Sequence, residues 1–354
     1  MIASFSLAQE SRPRAVVGAI RWDAWTGGGV TEQVERTLGP QKYHERLPWF
    51  AEVTGDNKVR IDGSPQAVMD REIDFAAEAG LDYWAFLLYP QSNSMSVALR
   101  QYLGSPRRAR INFCLILHNA FGVSAEQWPA ERDRAVALLK EPGYQTVAGG
   151  RPLVYAFQIQ FQGKFPESRF AEFRGAAQKA GLNPYCVFMG WNPARDFSAE
   201  SAKGFDAVSA YARSGAQSTF AQLAQSAEQQ YWEKAAGAEV PCVPLVTTGW
   251  EKQPRKDNPV SWEKGQSYHQ QNIFPAIAAP EEIAAHLGRA LAFVREHSRI
   301  CAANAVIIYA WNEYDEGGWL APTWTPSGRP NTGRLDALRG ILKPGNRAGA
   351  HPRP

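Results

Sequence analysis

Two glutamates three residues apart, Glu313 and Glu316, are the side chains of this sequence best placed for acid–base chemistry. They lie with Asp315 in a short acidic segment that follows Trp311-Asn312 and an apolar run. Where two carboxyl groups crowd together, burial and mutual repulsion raise the pKa of one, which keeps its proton, while the other stays ionised. An exposed acidic turn is the alternative, but such a turn needs no tryptophan and asparagine in front of it. The segment therefore predicts a site that can both donate and accept a proton.

Eight apolar runs alternate with helical patterns along the chain and are predicted to position these carboxyl groups. Runs that are apolar throughout are typical of strands buried on both faces of a parallel sheet. Helix signals stand between them, such as Ser64 as a capping residue and Pro65 in the first turn of an amphipathic helix that ends at Gly80. The predicted strands are 15–20, 83–89, 111–117, 152–157, 185–189, 207–211, 243–248 and 305–310.

Eight such strands close a (β/α)8 TIM barrel, which we predict as one fold with long loops at its C-terminal face. An open doubly wound sheet is the alternative. It needs a phosphate loop, and the sequence has no G-x-G-x-x-G or Walker motif, while Gly27-Gly28-Gly29 precedes no helical pattern. The long loops 27–63 and 252–279 are predicted to form the walls of the site.

The C-terminal ends of the strands, where barrels of this kind carry their chemistry, combine tryptophan with amide, imidazole and carboxylate groups. Flat aromatic rings pack on the C–H faces of sugar rings, and amides and carboxylates bind neighbouring hydroxyls. Cleavage of a glycosidic bond needs a carboxyl pair of the kind described above, so we predict Glu313 and Glu316 as catalytic. The predicted substrate-binding residues are Trp22, Asp23, His118, Asn119, Trp191, Asn192, Tyr211, Trp250, Glu251, Arg255 and Asn312.

Some of these residues have a structural alternative. Asp23 and Glu251 could each be a buried salt-bridge partner, and a tryptophan at a strand end could close the barrel instead of binding sugar. His118 would need partner ligands to hold a metal, and the sequence has neither H-x-H after the first strand nor H-E-x-x-H. We therefore predict no metal and no cofactor.

The amino-acid composition does not identify the function, but it excludes some classes of protein. The 354 residues are 44% hydrophobic and 21% charged with a formal charge of +3, which indicates a globular protein without a nucleic-acid-binding surface. No apolar run reaches the length of a membrane span. The four cysteines form no C-x-x-C motif. Twelve tryptophans exceed what a core of this size needs. Several lie at or just past strand ends or after the acidic segment, which favours a sugar cleft, namely Trp22, Trp25, Trp191, Trp250, Trp311 and Trp319.

Three regions are predicted along the chain. Residues 1–14 are an N-terminal extension or the remnant of a signal peptide, 15–343 are a single catalytic barrel, and 344–354 are a flexible basic tail. The small residues before Gln9 predict a periplasmic or secreted protein, with a cytoplasmic location as the alternative.

The segment Ile307–Gly317, which reads IIYAWNEYDEG, resembles the A-W-N-E-W-x-E-G signature of the glycoside hydrolase family 99-like barrels. That group contains endo-α-mannosidases and endo-α-mannanases, and many members are described as polysaccharide glycosyltransferases (WbsX type). Gly249–Arg255 is similar to the family's G-W-D-x-x-P-R, and Gly150–Val154 to its entry into strand four.

The resemblance implies roles for the pair. The first glutamate, Glu313, would be the general base on the sugar 2-hydroxyl by way of a 1,2-anhydro intermediate, and Glu316 the general acid, with overall retention. Tyr314 replaces the family's tryptophan, Glu251 its common aspartate, and Ala321 the glutamate of L-E-P. These departures predict that the catalytic pair is kept while the surrounding subsites differ.

The leading hypothesis is thus a glycoside hydrolase that acts on an α-linked oligo- or polysaccharide. A glycosyltransferase of surface-polysaccharide synthesis is an alternative, but it usually needs a D-x-D metal motif, and none occurs here. A non-catalytic carbohydrate-binding barrel is a further alternative and is hard to reconcile with N-E-x-x-E.

Overall fold

A barrel of eight parallel strands forms the centre of the molecule. The computed structural model describes residues 13–157, 166 and 168–343. The strands are β1 (Val16–Arg21), β2 (Tyr83–Leu88), β3 (Asn112–Leu117), β4 (Arg151–Phe157), β5 (Tyr185–Met189), β6 (Ala207–Ser209), β7 (Leu245–Thr247) and β8 (Ala305–Tyr309). They pair in the order β7-β8-β1-β2-β3-β4-β5-β6. A parallel bridge from Val208 to Cys242, just before β7, joins the two ends, so the predicted (β/α)8 barrel is confirmed and the open sheet is excluded.

Eleven α-helices of the described chain surround the barrel or lie at its C-terminal end. They are α1 (Gly28–Leu38), α2 (Gln66–Ala79), α3 (Val97–Gly104), α4 (Trp128–Leu138), α5 (Ser168–Lys179), α6 (Pro193–Glu200), α7 (Phe220–Ala227), α8 (Glu233–Gly237), α9 (Gln253–Asp257), α10 (Pro280–Glu296) and α11 (Gly333–Leu342). A π-helical turn, Glu228–Trp232, joins α7 to α8. No helix in this part of the chain is long and apolar enough to cross a membrane.

Two local predictions about helix starts are wrong. The glycine run does lead into a helix, because α1 begins at Gly28 and buries Val34 and Leu38, four residues apart, on one face. Ser64 does not cap α2; its hydroxyl donates to Asp62 at 2.6 Å, and Pro65 stands at the cap position. The end of α2 is as predicted, with Gly80 in the left-handed conformation at φ 91°.

The two long loops pack against each other instead of standing apart. Ser261 donates its backbone N–H to the Gln33 side chain at 2.6 Å, and the Lys42 ammonium lies 2.5 Å from Asp257. Together they cover one side of the C-terminal end of the barrel. Residues 1–12 of the predicted extension 1–14 and the whole predicted tail 344–354 lie outside the described residues.

The barrel interior is filled by side chains, as the uniformly apolar strands require. Every residue of β2 is buried, and Tyr83 reaches across the interior to Tyr155, with 2.9 Å between the two hydroxyl oxygens. The Tyr83 ring lies directly over Gly18 of β1, in the space that a Cβ atom would occupy. A side chain at position 18 therefore has no room.

We expect Gly18→Ala to lower the free energy of unfolding by about 1–3 kcal/mol, because Tyr83 is fixed by its hydrogen bonds and cannot move aside. Gly29→Ala is the matched control, since its Cβ would meet open space in α1 and should leave stability unchanged or slightly raised. Urea unfolding of both variants measures the difference. Equal stability of the two would contradict the packing described here.

Candidate active site

The loop after β8 folds back as a hairpin that carries both candidate glutamates. Asn312 pairs with Trp319 and Glu313 with Gly318, and the turn Tyr314–Glu316 lies between them. Gly317 ends the turn with a φ of 80°, and a Cβ there would collide with the backbone of Glu251. The close approach of these two backbones places the hairpin against the segment that follows β7.

Arg255 is the buried cation at the centre of this contact. Its side chain is 1% exposed and lies in α9, after β7. Its Nε donates to Asp315 Oδ2 at 2.7 Å, its Nη1 donates to Glu316 Oε1, and the same Nη1 lies 3.0 Å from Glu263 Oε1. Burial alone would lower the pKa of Arg255, but the surrounding carboxylates raise it. The guanidinium is therefore charged and ties three carboxylates together.

Lys252 is the second cation of the site, and its ammonium lies 2.7 Å from Glu263 Oε1 and 3.2 Å from Glu316 Oε1. The Tyr268 hydroxyl donates to the other oxygen of Glu263 at 2.8 Å. Burial raises the pKa of Glu263, but Arg255 and Lys252 outweigh it and lower that pKa to about 2. Sequence reasoning missed Lys252 and Glu263. Lys252 stands inside the quoted motif Gly249–Arg255, whereas no motif marks Glu263.

The two candidate catalytic glutamates have unequal surroundings. Glu316 is ion-paired with both cations through Oε1, and its Oε2 accepts from the Tyr309 hydroxyl at 2.5 Å. Glu313 accepts one hydrogen bond, from the Tyr211 hydroxyl to Oε1 at 2.7 Å, and its Oε2 has no donor among the described residues. That oxygen lies 4.0 Å from Arg255 Nη2.

Burial raises the pKa of Glu313 well above its usual range, and the Glu316 carboxylate raises it further. Arg255 and the Tyr211 hydrogen bond act in the opposite direction but do not prevail. A charge count leads to the same conclusion, because the carboxyl groups of Glu313, Asp315, Glu316 and Glu263 have only two cations, Arg255 and Lys252, within ion-pair distance among the described residues. Glu313 is thus the carboxyl group suited to hold a proton.

Aromatic rings connect the strand ends in an arc beside Glu313. Trp22 Nε1 donates to the Tyr89 hydroxyl at 3.2 Å, and the Tyr89 and His118 rings are 5.6 Å apart. Phe157 lies between His118 and Tyr211, with ring centroids 5.7 Å and 4.3 Å away, respectively. The structure thus brings three of the predicted residues, Trp22, His118 and Tyr211, to one rim. Tyr89 and Phe157 were not predicted as site residues, because each ends an apolar strand and looks like a core residue in the sequence.

Two further rings complete the rim. The Trp250 ring is 5.6 Å from that of Tyr309, and the Lys252 ammonium lies 4.5 Å over its face. Trp262, in the loop after α9, is 38% exposed and 5.7 Å from Trp22. Trp262 is therefore an exposed flat ring close to Arg255, whose guanidinium lies 5.6 Å from its centroid.

Besides Arg255, four predicted substrate-binding residues are occupied by contacts within the protein, namely Asp23, Asn192, Glu251 and Asn312. Asp23 accepts from Arg21 at 2.8 Å and from Asn312 at 3.0 Å, in a buried network. Glu251 is ion-paired with Arg46 at 2.6 Å, and the Asn192 side chain caps α6. These contacts match the structural alternatives considered for Asp23 and Glu251. Asn119 and Trp191 are exposed.

The tryptophan excess divides between core and rim. Seven of the twelve are buried, including Trp311, which packs 5.1 Å from Trp84, and Trp319, which lies under the Arg334 guanidinium at 3.7 Å. The expectation that Trp311 and Trp319 line a cleft is wrong, because the hairpin turns both side chains inward. Only Trp191 and Trp262 are exposed among the described tryptophans.

The site is nearly closed and has no cluster suited to a metal. The Glu313 and Glu316 side chains are 3% and 9% exposed. Within the described residues, no group of three or more histidine, cysteine, aspartate or glutamate side chains could hold a metal ion. The arrangement offers a bound molecule one buried carboxyl group suited to donate a proton and a second one suited to accept a proton.

Comparisons with known proteins identify the fold. No protein-family model and no curated protein matches the chain. A solved structure titled glycoside hydrolase-like protein is 14% identical, with a TM-score of 0.62 over 94% of this chain and 95% of the other. Two structures of the GH99 endo-α-mannosidase of Bacteroides thetaiotaomicron are each 11% identical, with TM-scores of 0.55 and 0.54. They cover 91% and 92% of this chain, and the matches span 95% and 96% of theirs. The chain thus has a GH99-like barrel fold.

The raised pKa of Glu313 makes stability depend on pH. A carboxyl group whose folded pKa lies above its unfolded value stabilises the fold only while protonated, so this contribution is lost as pH rises from about 4. Glu313→Gln cannot ionise, and we expect it to raise the free energy of unfolding by about 1–3 kcal/mol at pH 8 and by much less at pH 4.5.

Glu316→Gln is the matched control for that measurement. It removes an ion-paired carboxylate and should lower stability at pH 8 by about 1–3 kcal/mol. Urea unfolding at the two pH values measures both variants. A loss of stability in Glu313→Gln at pH 8 as large as in Glu316→Gln would contradict the unequal surroundings of the pair.

Proposed function

We propose that the protein is a glycoside hydrolase that cleaves an α-linked oligo- or polysaccharide with retention. The observation that carries the proposal is the pair Glu313 and Glu316, two buried carboxyl groups held in opposite electrostatic surroundings on one hairpin. The GH99-like fold and the aromatic rim beside the pair support it. Ligand sites are typically lined by aromatic side chains with a few placed polar groups, and this rim has that composition.

The electrostatics of the site favour acid and base roles for Glu313 and Glu316 that are the reverse of those implied by the family resemblance. Glycosidic cleavage needs a proton on the leaving oxygen and a base for the attacking hydroxyl. Glu313 has the raised pKa of a proton donor, and Glu316 is paired with Arg255 and Lys252 as an anion. We therefore assign Glu313 as the general acid and Glu316 as the base that accepts the proton of the sugar hydroxyl.

Tyr211 connects the acid to the aromatic rim. Its hydroxyl donates to Glu313, which stabilises the ionised form that remains after the proton has left. Its ring stacks on Phe157 at an interplanar angle of 12°, so its position is fixed. Tyr211 is thus a positioning residue that moderates the pKa of the acid.

Leaving-group dependence distinguishes the two glutamates. A general acid is dispensable when the leaving group departs without a proton, whereas a base is not. On α-linked glycans we expect Glu313→Gln and Glu316→Gln each to lose about 10²–10⁴-fold in kcat/KM. On α-glycosyl fluorides or dinitrophenyl glycosides of the same sugars, Glu313→Gln should recover and Glu316→Gln should not.

Asp336→Asn, a change on the exposed face of α11, is the control and should keep full activity. Recovery in Glu316→Gln instead would contradict the assignment of roles and restore those of the family resemblance. Undiminished turnover of every substrate by both variants would contradict a glycosidase with this carboxyl pair. Glycan binding without turnover in the wild type would favour the non-catalytic barrel. NMR of the product anomers tests retention.

Trp262 is predicted to be a sugar platform, because it is the exposed ring next to the carboxyl pair. Trp262→Ala should raise the Kd for a bound oligosaccharide about tenfold. Ile273→Ala, at another exposed apolar residue of the same loop, should leave the Kd unchanged. Calorimetry with a glycan bound to Glu316→Gln measures both, and equal affinities would contradict a platform at Trp262.

A further inference from the structure

A small cavity behind the catalytic hairpin contains a buried cation that the proposed reaction does not use. The cavity measures about 190 Å³ and lies between the hairpin, the segment before α10 and the start of α11. Arg334, Asn331 and Thr323 contribute polar atoms to its lining, and Glu45 lies at its rim. Pockets for whole drug-sized ligands measure about 300–1,000 Å³, so this one accommodates only a small chemical group.

Arg334 is held rigidly in the wall of the cavity. Its guanidinium stacks 3.7 Å from the centre of the Trp319 ring. Nη1 donates to the carbonyl oxygens of Trp319 at 2.6 Å and Thr248 at 3.5 Å, and Nη2 donates to that of Ala278 at 3.2 Å. A guanidinium has five N–H donors. The Nε donor and one Nη2 donor thus remain without a partner among the described residues.

No carboxylate neutralises this cation. Arg334 is 8% exposed, yet no aspartate or glutamate of the described chain lies within ion-pair distance of it. Burial and, to a smaller extent, the neighbouring Arg46 guanidinium lower the pKa of Arg334 to about 9, and the charge of Glu45 opposes this change without preventing it. A buried charge without an ion-pair partner is unfavourable, and a bound ligand of opposite charge would neutralise it.

We propose that this cavity binds a carboxylate group, which the free donors of Arg334 hold. Paired N–H donors on a planar guanidinium match the two oxygens of a carboxylate, and the cation supplies the charge. The carboxylate can come from a free small acid or from a uronic acid residue of a glycan. The second source would place an acidic sugar next to the hairpin of Glu313, since Trp319 pairs with Asn312.

Glu45 provides a variant that tests the site without disturbing the fold. Its side chain is exposed at the rim and repels an anion in the cavity. Glu45→Gln should therefore strengthen carboxylate binding up to about fivefold. Arg334→Lys keeps the charge but loses the planar pair of donors, and it should weaken binding tenfold or more.

Calorimetry with acetate, glucuronate and glucose, in sodium chloride of matched ionic strength, measures these effects on the full chain. Glu316→Gln serves as the background, so the result does not depend on catalysis. Binding of acetate and glucuronate but not glucose, strengthened by Glu45→Gln, supports the proposal. Binding of glucuronate alone also supports it and identifies the sugar acid as the source. Absence of carboxylate binding in both the background protein and Glu45→Gln overturns it, as does binding that Arg334→Lys and Glu45→Gln leave unchanged.

Discussion

One buried guanidinium, that of Arg255, is the interaction on which the candidate site depends. It donates to Asp315 and Glu316 and lies within ion-pair distance of Glu263, with Lys252 as the only other cation in contact with the group in the described chain. Two cations cannot neutralise four carboxylates. Glu313 is the carboxyl group of the four that is left without a close cation, since its nearest one, Arg255, lies 4.0 Å away. The unequal protonation that acid–base catalysis requires thus follows from a shortage of positive charge.

The barrel makes this arrangement possible because it brings separate parts of the chain to one end. Arg255 follows β7 and the acidic hairpin follows β8, and these two strands are neighbours in the sheet. The insertion 27–63 then covers the ion cluster, and the Thr37 hydroxyl donates to Asp315 at 3.3 Å. Exclusion of water strengthens each charge interaction inside the cluster. The same covering leaves the two glutamates almost fully buried.

The fold could be predicted from the sequence because strands buried on both faces are apolar throughout, and all eight were found within a few residues. The carboxyl pair could be predicted because three acids follow a strand. Glu263 could not, since its role depends on a loop that returns from eight residues beyond Arg255 with no motif. Trp311 was misplaced because position at a strand end does not reveal which way a side chain turns. Glu251 was predicted to bind substrate because its ion-pair partner, Arg46, lies far away in the sequence and no pattern connects the two residues.

The candidate site depends on Glu313 keeping a proton at a pH where an ordinary glutamate is ionised. A ¹³C NMR titration of the glutamate carboxyl groups tests it directly, with the Glu313 signal identified by its absence in Glu313→Gln. We expect this signal to titrate with a midpoint clearly above the ordinary glutamate value of about 4.3. A midpoint at or below that value would show that Glu313 is an ordinary ionised carboxylate, and the unequal protonation of the pair would then be wrong.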